Sequence, residues 1–176
     1  VFAPDGSRIG GYDKMHLFDV DVDGESYRES DVFRAGKEPA SFKAEDWLVG
    51  LSICYDVRFP ELYRHYSASG CNMLTVPSAF TVPTGRAHWQ TLLRARAIEN
   101  QCYVLAAGQC GMHPGGRRTW GHSMIIDPWG EVMAQSQERE GVIAADLSKE
   151  LLHSIRNQFP IRNECQEGSR RKSHGF

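Results

Sequence analysis

Gly50-Leu51-Ser52-Ile53-Cys54-Tyr55-Asp56-Val57-Arg58-Phe59-Pro60-Glu61-Leu62 decides how this chain is read. A short apolar run ends in a cysteine, a charge follows two residues later, and Pro60 opens a segment with helical spacing. The pattern predicts a strand, a sharp turn and a helix, with Cys54 on the turn. A cysteine placed there projects into a cleft. It also sits near backbone N–H groups that stabilise both a thiolate and an oxyanion. That is a nucleophile elbow built around sulfur. The competing reading is a buried strand-end cysteine acting as a small core hydrophobe.

The chain has 176 residues, 41% apolar and 24% charged, which suits one globular domain with a sizeable core. Its formal net charge is -2, so no broad basic surface is implied, and nucleic acid and anionic membrane are poor partners. The one basic cluster, Ser169-Arg170-Arg171-Lys172-Ser173-His174, reads as a solvated tail. The five cysteines (Cys54, Cys71, Cys102, Cys110 and Cys165) contain no Cys-x-x-Cys, so no zinc site is implied. No other residue cluster implies a metal or cofactor. Free thiols in a reducing compartment, the cytoplasm or the mitochondrion, are the simplest reading. No secretory signal and no apolar run of membrane-spanning length occurs. Val1 is not a methionine, so the start of the gene product is not shown.

Along the chain, residues 1–7 and 8–14 read as a hairpin. Asp19 to Lys43 is polar and reads as a long loop of the kind that borders active sites. Strands are expected over 47–54, 72–76, 102–107 and 141–146, with a hairpin of 121–126 and 131–134 across Asp127-Pro128-Trp129-Gly130. Helices are expected over 60–69, 84–100 and 147–157, the second marked by Trp89, Leu92, Leu93, Arg96 and Ala97 at spacings of three and four. Strands alternating with helices give an α/β class, with antiparallel hairpins mixed into the sheet.

Further stretches flank the elbow. Gly11-Tyr12-Asp13-Lys14-Met15-His16-Leu17-Phe18-Asp19 lies upstream. Pro77-Ser78-Ala79-Phe80, Ala87-His88-Trp89, Arg94-Ala95-Arg96-Ala97-Ile98-Glu99-Asn100-Gln101 and Gly121-His122-Ser123-Met124-Ile125-Ile126-Asp127-Pro128-Trp129-Gly130 lie downstream. This series, in this order, resembles the nitrilase superfamily of carbon–nitrogen hydrolases, and within it the Nit branch of deaminated-glutathione amidases, with omega-amidases one step further away. The resemblance covers residues 1–160 and leaves 161–176 as a divergent polar tail. It implies a four-layer α-β-β-α sandwich of which this chain holds the C-terminal two thirds. The same resemblance implies a homodimer or larger homo-oligomer, with a small-molecule amide as the partner.

Amide hydrolysis needs a nucleophile, a proton shuttle and an oxyanion stabiliser. Cys54 supplies the first, forming a thioester that water then cleaves. The resemblance maps Lys14 onto the family's catalytic lysine, which stabilises the negative oxygen. It maps Glu29, with Glu25 as the rival, onto a glutamate of the loop between lysine and cysteine. A further general-base glutamate comes from a strand upstream of the lysine and has no counterpart in this chain, so the isolated segment is expected to be inactive. The backbone N–H of Tyr55 is placed to help form an oxyanion hole. Arg58 is a candidate for a substrate carboxylate, or alternatively pairs with Glu61 or Asp56. Ser78 and Phe80 follow a strand end, where α/β sheets put ligand-contacting loops. His88, Glu99 and His122 read as structural. The leading function is a cysteine amidase for a small carboxylated amide. The alternatives are an omega-amidase acting on α-ketoglutaramate and a non-catalytic interaction protein of the same fold.

Overall fold

The computed structural model describes residues 1–22 and 24–161. In chain order the strands are β1 (Asp19–Val22), β2 (Glu25–Arg28), β3 (Ser41–Ala44), β4 (Trp47–Leu51), β5 (Met73–Thr75), β6 (Tyr103–Ala106), β7 (Cys110–Met112), β8 (Arg118–Trp120), β9 (Met124–Ile126) and β10 (Val132–Gln135). The helices are α1 (Pro60–Ala68), α2 (Val82–Asn100) and α3 (Lys149–Gln158).

Six strands form one mixed sheet in the order β10-β9-β6-β5-β4-β3, in which β4, β5 and β6 run parallel. Side chains alternate across it as strand geometry requires. One row, Gly50, Leu74, Val104 and Ile126, crosses four strands in register. Its apolar members are buried beneath α1 and α2 with Tyr63, Tyr66, Trp89 and Leu93. Burying each such side chain contributes about 1.5–3 kcal/mol. Gly50 completes the row because a Cβ there would lie 2.7 Å from the Tyr66 ring. The opposite face carries Val49, Met73 and Tyr103, packed with Leu152 of α3.

Local chemistry sets the helix ends. Pro60 begins α1, where its missing N–H costs nothing. The Thr81 hydroxyl accepts from Thr84 N–H at 3.4 Å and caps α2, so that helix starts at Val82 and not at Thr84. Ser148 caps α3, accepting from Leu151 N–H at 3.0 Å.

Several expected elements differ. The long polar loop contains the β1–β2 hairpin, closed by Gly24 at φ +77°, and it ends in β3, which pairs with β4. The sequence signal was Asp23-Gly24, a dipeptide suited to a tight hairpin turn. Residues 110–120 form the β7–β8 hairpin, which apolar patterning does not reveal. Conversely, the hairpin of residues 1–14 is reduced to a single bridge between Phe2 and Arg8, and residues 141–146 join no ladder. The pairing within residues 1–10 is nonetheless present, with Ala3 N–H donating to the Ser7 carbonyl at 2.8 Å and Ile9 N–H to that of Val1 at 3.1 Å, whereas residues 141–146 pair with no strand among the described residues. The tail, apart from Ile161, lies outside the described residues.

This topology gathers the site. The parallel strands β4, β5 and β6 end on the same side of the sheet, and the residues just beyond their ends include Cys54, Ser78 and Gln109. Such crevices beyond strand C-termini are where α/β sheets bind ligands.

Candidate active site

Cys54 follows β4 and begins a five-residue 3₁₀ turn, Cys54–Arg58. Its φ is +50°, a left-handed conformation that an L-residue adopts at a cost of about 1–2 kcal/mol. The surroundings enforce it. Cys54 N–H donates to the Pro77 carbonyl at 2.9 Å, and Ser52 N–H donates to that of Thr75 at 3.1 Å. Strain of this kind persists only where the surrounding structure holds it. Tyr55 is the second residue of the turn, where a backbone N–H has no intrahelical partner.

Asp56, wholly buried, ties this turn to the segment bearing Lys14. One carboxylate oxygen accepts from Ile53 N–H at 2.9 Å and from the Tyr12 hydroxyl at 2.7 Å. The other accepts from His16 N–H at 3.0 Å and faces His16 Nδ1 at 2.7 Å. The His16 ring stacks on Phe59, centroids 3.7 Å apart. Burial and the bond to Asp56 raise the Tyr12 pKa well above that of a free phenol. Two residues on either side of Lys14 are thus fixed to the residues on either side of Cys54.

Lys14 is nearly buried and its ammonium donates to Glu29 Oε2. The same oxygen accepts from Phe18 N–H at 2.7 Å, which orients the carboxylate. Gly36 N–H donates to the Lys14 carbonyl at 2.8 Å, an approach only glycine permits, since a Cβ there would stand 2.1 Å from the Asp13 carbonyl oxygen. Lys14, Glu29 and Cys54 all line one cavity of about 500 Å³, together with Phe18, Phe33, Ser78 and Gln109. That volume falls within the usual range for small-molecule sites.

Burial pushes the Cys54 thiol up, and Glu29 adds to this, while Ala79 N–H, Lys14 and Ser78 oppose it. The resting sulfur therefore carries its proton at neutral pH, with Lys14 largely answered by Glu29. Two substitutions should move this balance in opposite directions. Alkylation of Cys54 by iodoacetamide at pH 7.5 (about one pH unit below an ordinary free thiol) is expected to be faster in Glu29→Gln and slower in Lys14→Met. Equal rates in wild type and both variants would show that neither group acts on the sulfur.

The other candidates divide. Glu29, not Glu25, meets Lys14; Glu25 is half-exposed and bonds the Tyr27 hydroxyl. Ser78 lines the main cavity, its hydroxyl donating to the Val76 carbonyl at 3.1 Å. Tyr55, Arg58 and Phe80 line a small adjoining cleft that also reaches Cys54. There the Arg58 guanidinium lies over Tyr55 at 5.7 Å and Phe80 at 5.2 Å, with Nη1 3.2 Å from His88 Nδ1. Asp56 is not its partner, being held by Tyr12 and His16. Glu99 pairs with Arg96 at 2.8 Å, and His122 holds the backbone around Trp120 through its Nδ1 and accepts the Trp89 indole N–H at its carbonyl. Sequence reading missed the bracing by Tyr12, His16 and Asp56. The signal was available: a carboxylate two residues beyond a buried strand end must find donors. No group of three or more His, Cys, Asp or Glu that could hold a metal ion occurs among the described residues.

Comparisons with known proteins agree with this geometry. The family model for carbon-nitrogen hydrolase matches residues 1–157. The chain is 50% identical over 163 residues to a deaminated glutathione amidase of Synechocystis, covering 91% of this chain and 60% of that protein. It is 45% identical to Omega-amidase NIT2 of Xenopus tropicalis, covering 93% and 60% respectively. Among solved structures, the C. elegans NitFhit protein superposes with a TM-score of 0.85 at 46% identity, over 91% of this chain and 39% of that one. The chain thus spans about 60% of the length of the curated relatives it matches. With a family model over nearly its whole length and a cysteine elbow facing a lysine–glutamate pair, the chain belongs to the carbon–nitrogen hydrolase family, of the nitrilase fold.

Proposed function

We propose that the protein hydrolyses a small carboxylated amide, of the deaminated-glutathione kind, to a carboxylate and an amine, which is cysteinylglycine from deaminated glutathione and ammonia from a primary amide. The observation that carries this reading is Cys54 held left-handed at a cavity wall shared with the Lys14–Glu29 pair. Sγ of Cys54 attacks the amide carbon as its proton passes to a carboxylate base. The resemblance assigns that base to a glutamate upstream of Lys14, while Glu29 fixes the lysine. Tyr55 N–H and the Lys14 ammonium face the developing oxyanion. The proton goes on to the amide nitrogen, the amine leaves (ammonia where the amide is primary), and a thioester joins the acyl group to Cys54. Water, deprotonated by the same carboxylate, attacks the thioester, releases the acid and restores the thiol. The names of the curated relatives support both an amidase for deaminated glutathione and an omega-amidase.

Residues 1–160 are taken as the hydrolase domain and 161–176 as an appended tail. No helix among the described residues is long and apolar enough to cross a membrane; we place the protein in the cytoplasm. Exposed Trp129 and Phe159, with ring centroids 6.3 Å apart, support self-association as a homodimer or larger. The function is tested with the full-length protein by release of the amine product, cysteinylglycine from deaminated glutathione and ammonia from α-ketoglutaramate and from neutral primary amides of matching length. The proposal expects turnover of deaminated glutathione at least tenfold above the neutral amides. A preference for α-ketoglutaramate would make it an omega-amidase. Release from none would support a binding role alone and overturn the amidase reading.

A further inference from the structure

The cavity beside Cys54 is lined by Lys14, Arg28 and Arg117 against a single carboxylate, Glu29. These cations are not equally committed. Lys14 is joined to Glu29. Arg28 holds both oxygens of Asp21 at 3.0 Å and the Tyr27 carbonyl at 2.7 Å. Arg117 has only a loose approach to Glu25 at 3.8 Å and a long bond to the Ser26 carbonyl at 3.5 Å among the described residues. Yet it is well placed, its guanidinium lying over the Tyr27 ring at 4.4 Å. Such stacking fixes the plane of the fork and leaves its edge N–H groups to donate.

The hairpin that carries Arg117 is also anchored beside the nucleophile. Trp120 N–H donates to the Phe80 carbonyl at 2.9 Å, and Gly121 N–H to that of Gln109 at 2.9 Å. His113 N–H donates to the Arg117 carbonyl at 2.8 Å, and the His113 ring meets the Thr119 hydroxyl at 2.7 Å. The chain between Arg117 and the Cys54 wall is therefore braced at both ends.

We propose that Arg117 forms the subsite for the substrate's carboxylate at the end remote from the scissile amide, with Tyr27 as its platform. This rests on the amidase reading above and assigns the distal anion to the β7–β8 hairpin, while Arg58 lies in the small adjoining cleft. A planar fork suits a carboxylate, which it binds through two parallel bonds.

The test separates binding from turnover. Protection of Cys54 against iodoacetamide is measured in the full-length protein with succinamate, glutaramate and adipamate, and with the methyl ester of each. In the wild type the best acid is expected to protect at about tenfold lower concentration than its ester. Arg117→Gln should remove that advantage, shifting protection by the acid at least five times more than protection by the ester. Arg117→Lys should recover part of it, because charge is kept and the fork is lost. Ammonia release from the same compounds reads the amidase function independently. Charge-dependent protection without ammonia release would uphold the subsite and overturn the proposed reaction. Equal protection by acid and ester, or an equal shift of both in Arg117→Gln, would overturn the subsite even in an active enzyme.

Discussion

Cys54→Ala is expected to abolish amide hydrolysis while leaving a folded protein. The loss should be on the order of 10⁴-fold or more, the scale seen when a covalent nucleophile is removed. Retention of the fold is expected because the Cys54 side chain is only partly buried and packs at the margin of the core. The turn itself is held by backbone bonds to Pro77 and by Asp56, neither of which needs the sulfur. Cys54→Ser should be nearly as inactive, since a hydroxyl in the same place is far harder to ionise. Release of the amine product from the best amide gives the rate, and a thermal melt within a few degrees of wild type shows that the fold survives. Activity within tenfold of wild type in Cys54→Ala would remove the nucleophile from the mechanism.

Asp56→Asn should be the next most damaging change at a residue that touches no substrate. Asp56 accepts from Ile53 on the Cys54 side and from Tyr12 and His16 on the Lys14 side. An amide in its place turns one acceptor into a donor facing buried donors. Each donor left unpaired costs about 1–3 kcal/mol. Displacement of Lys14 relative to Cys54 by about 1 Å would lower turnover by roughly a hundredfold. The expected result is a large fall in kcat with KM changed less than threefold, together with a lower melting temperature. Tyr12→Phe removes a single strut and should fall between wild type and Asp56→Asn in both readings. A variant that loses stability but keeps kcat would reduce Asp56 to a fold-stabilising role.

What the sequence revealed follows the physics of each signal. Cys54 was legible because a β-rich run, a charge, a proline and a helical repeat leave only a turn between them. Lys14 and Glu29 were legible through resemblance alone: they stand 15 residues apart, and nothing in their spacing says that they pair. The β1–β2 and β7–β8 hairpins were missed for two different reasons. The first is short, with only Val20, Val22 and Tyr27 as apolar residues on one face, so its clearest signal is Asp23-Gly24. The second holds its place through Trp120 and Thr119 against the loop after β5, a long-range docking with no local periodicity. The strand expected over 141–146 had the right composition, but pattern cannot say whether a neighbour is present, and the hairpin expected of residues 1–14 pairs only as far as Gly10. Arg58 stands close to Cys54 in sequence, yet the 3₁₀ turn directs it toward Tyr55, Phe80 and His88. Arg117 reaches the main cavity from 63 residues beyond Cys54.

The central claim is that Cys54 carries the acyl group between two chemical steps. It is tested most directly by quenching the full-length protein with acid during turnover of its best amide and mapping the peptides by mass. The peptide containing Cys54 should gain the mass of the substrate less that of its amine leaving group. The adduct should be cleaved by hydroxylamine, as a thioester is, and be absent in Cys54→Ala. Turnover with no adduct on Cys54, or an adduct on another residue that persists in Cys54→Ala, would contradict the account.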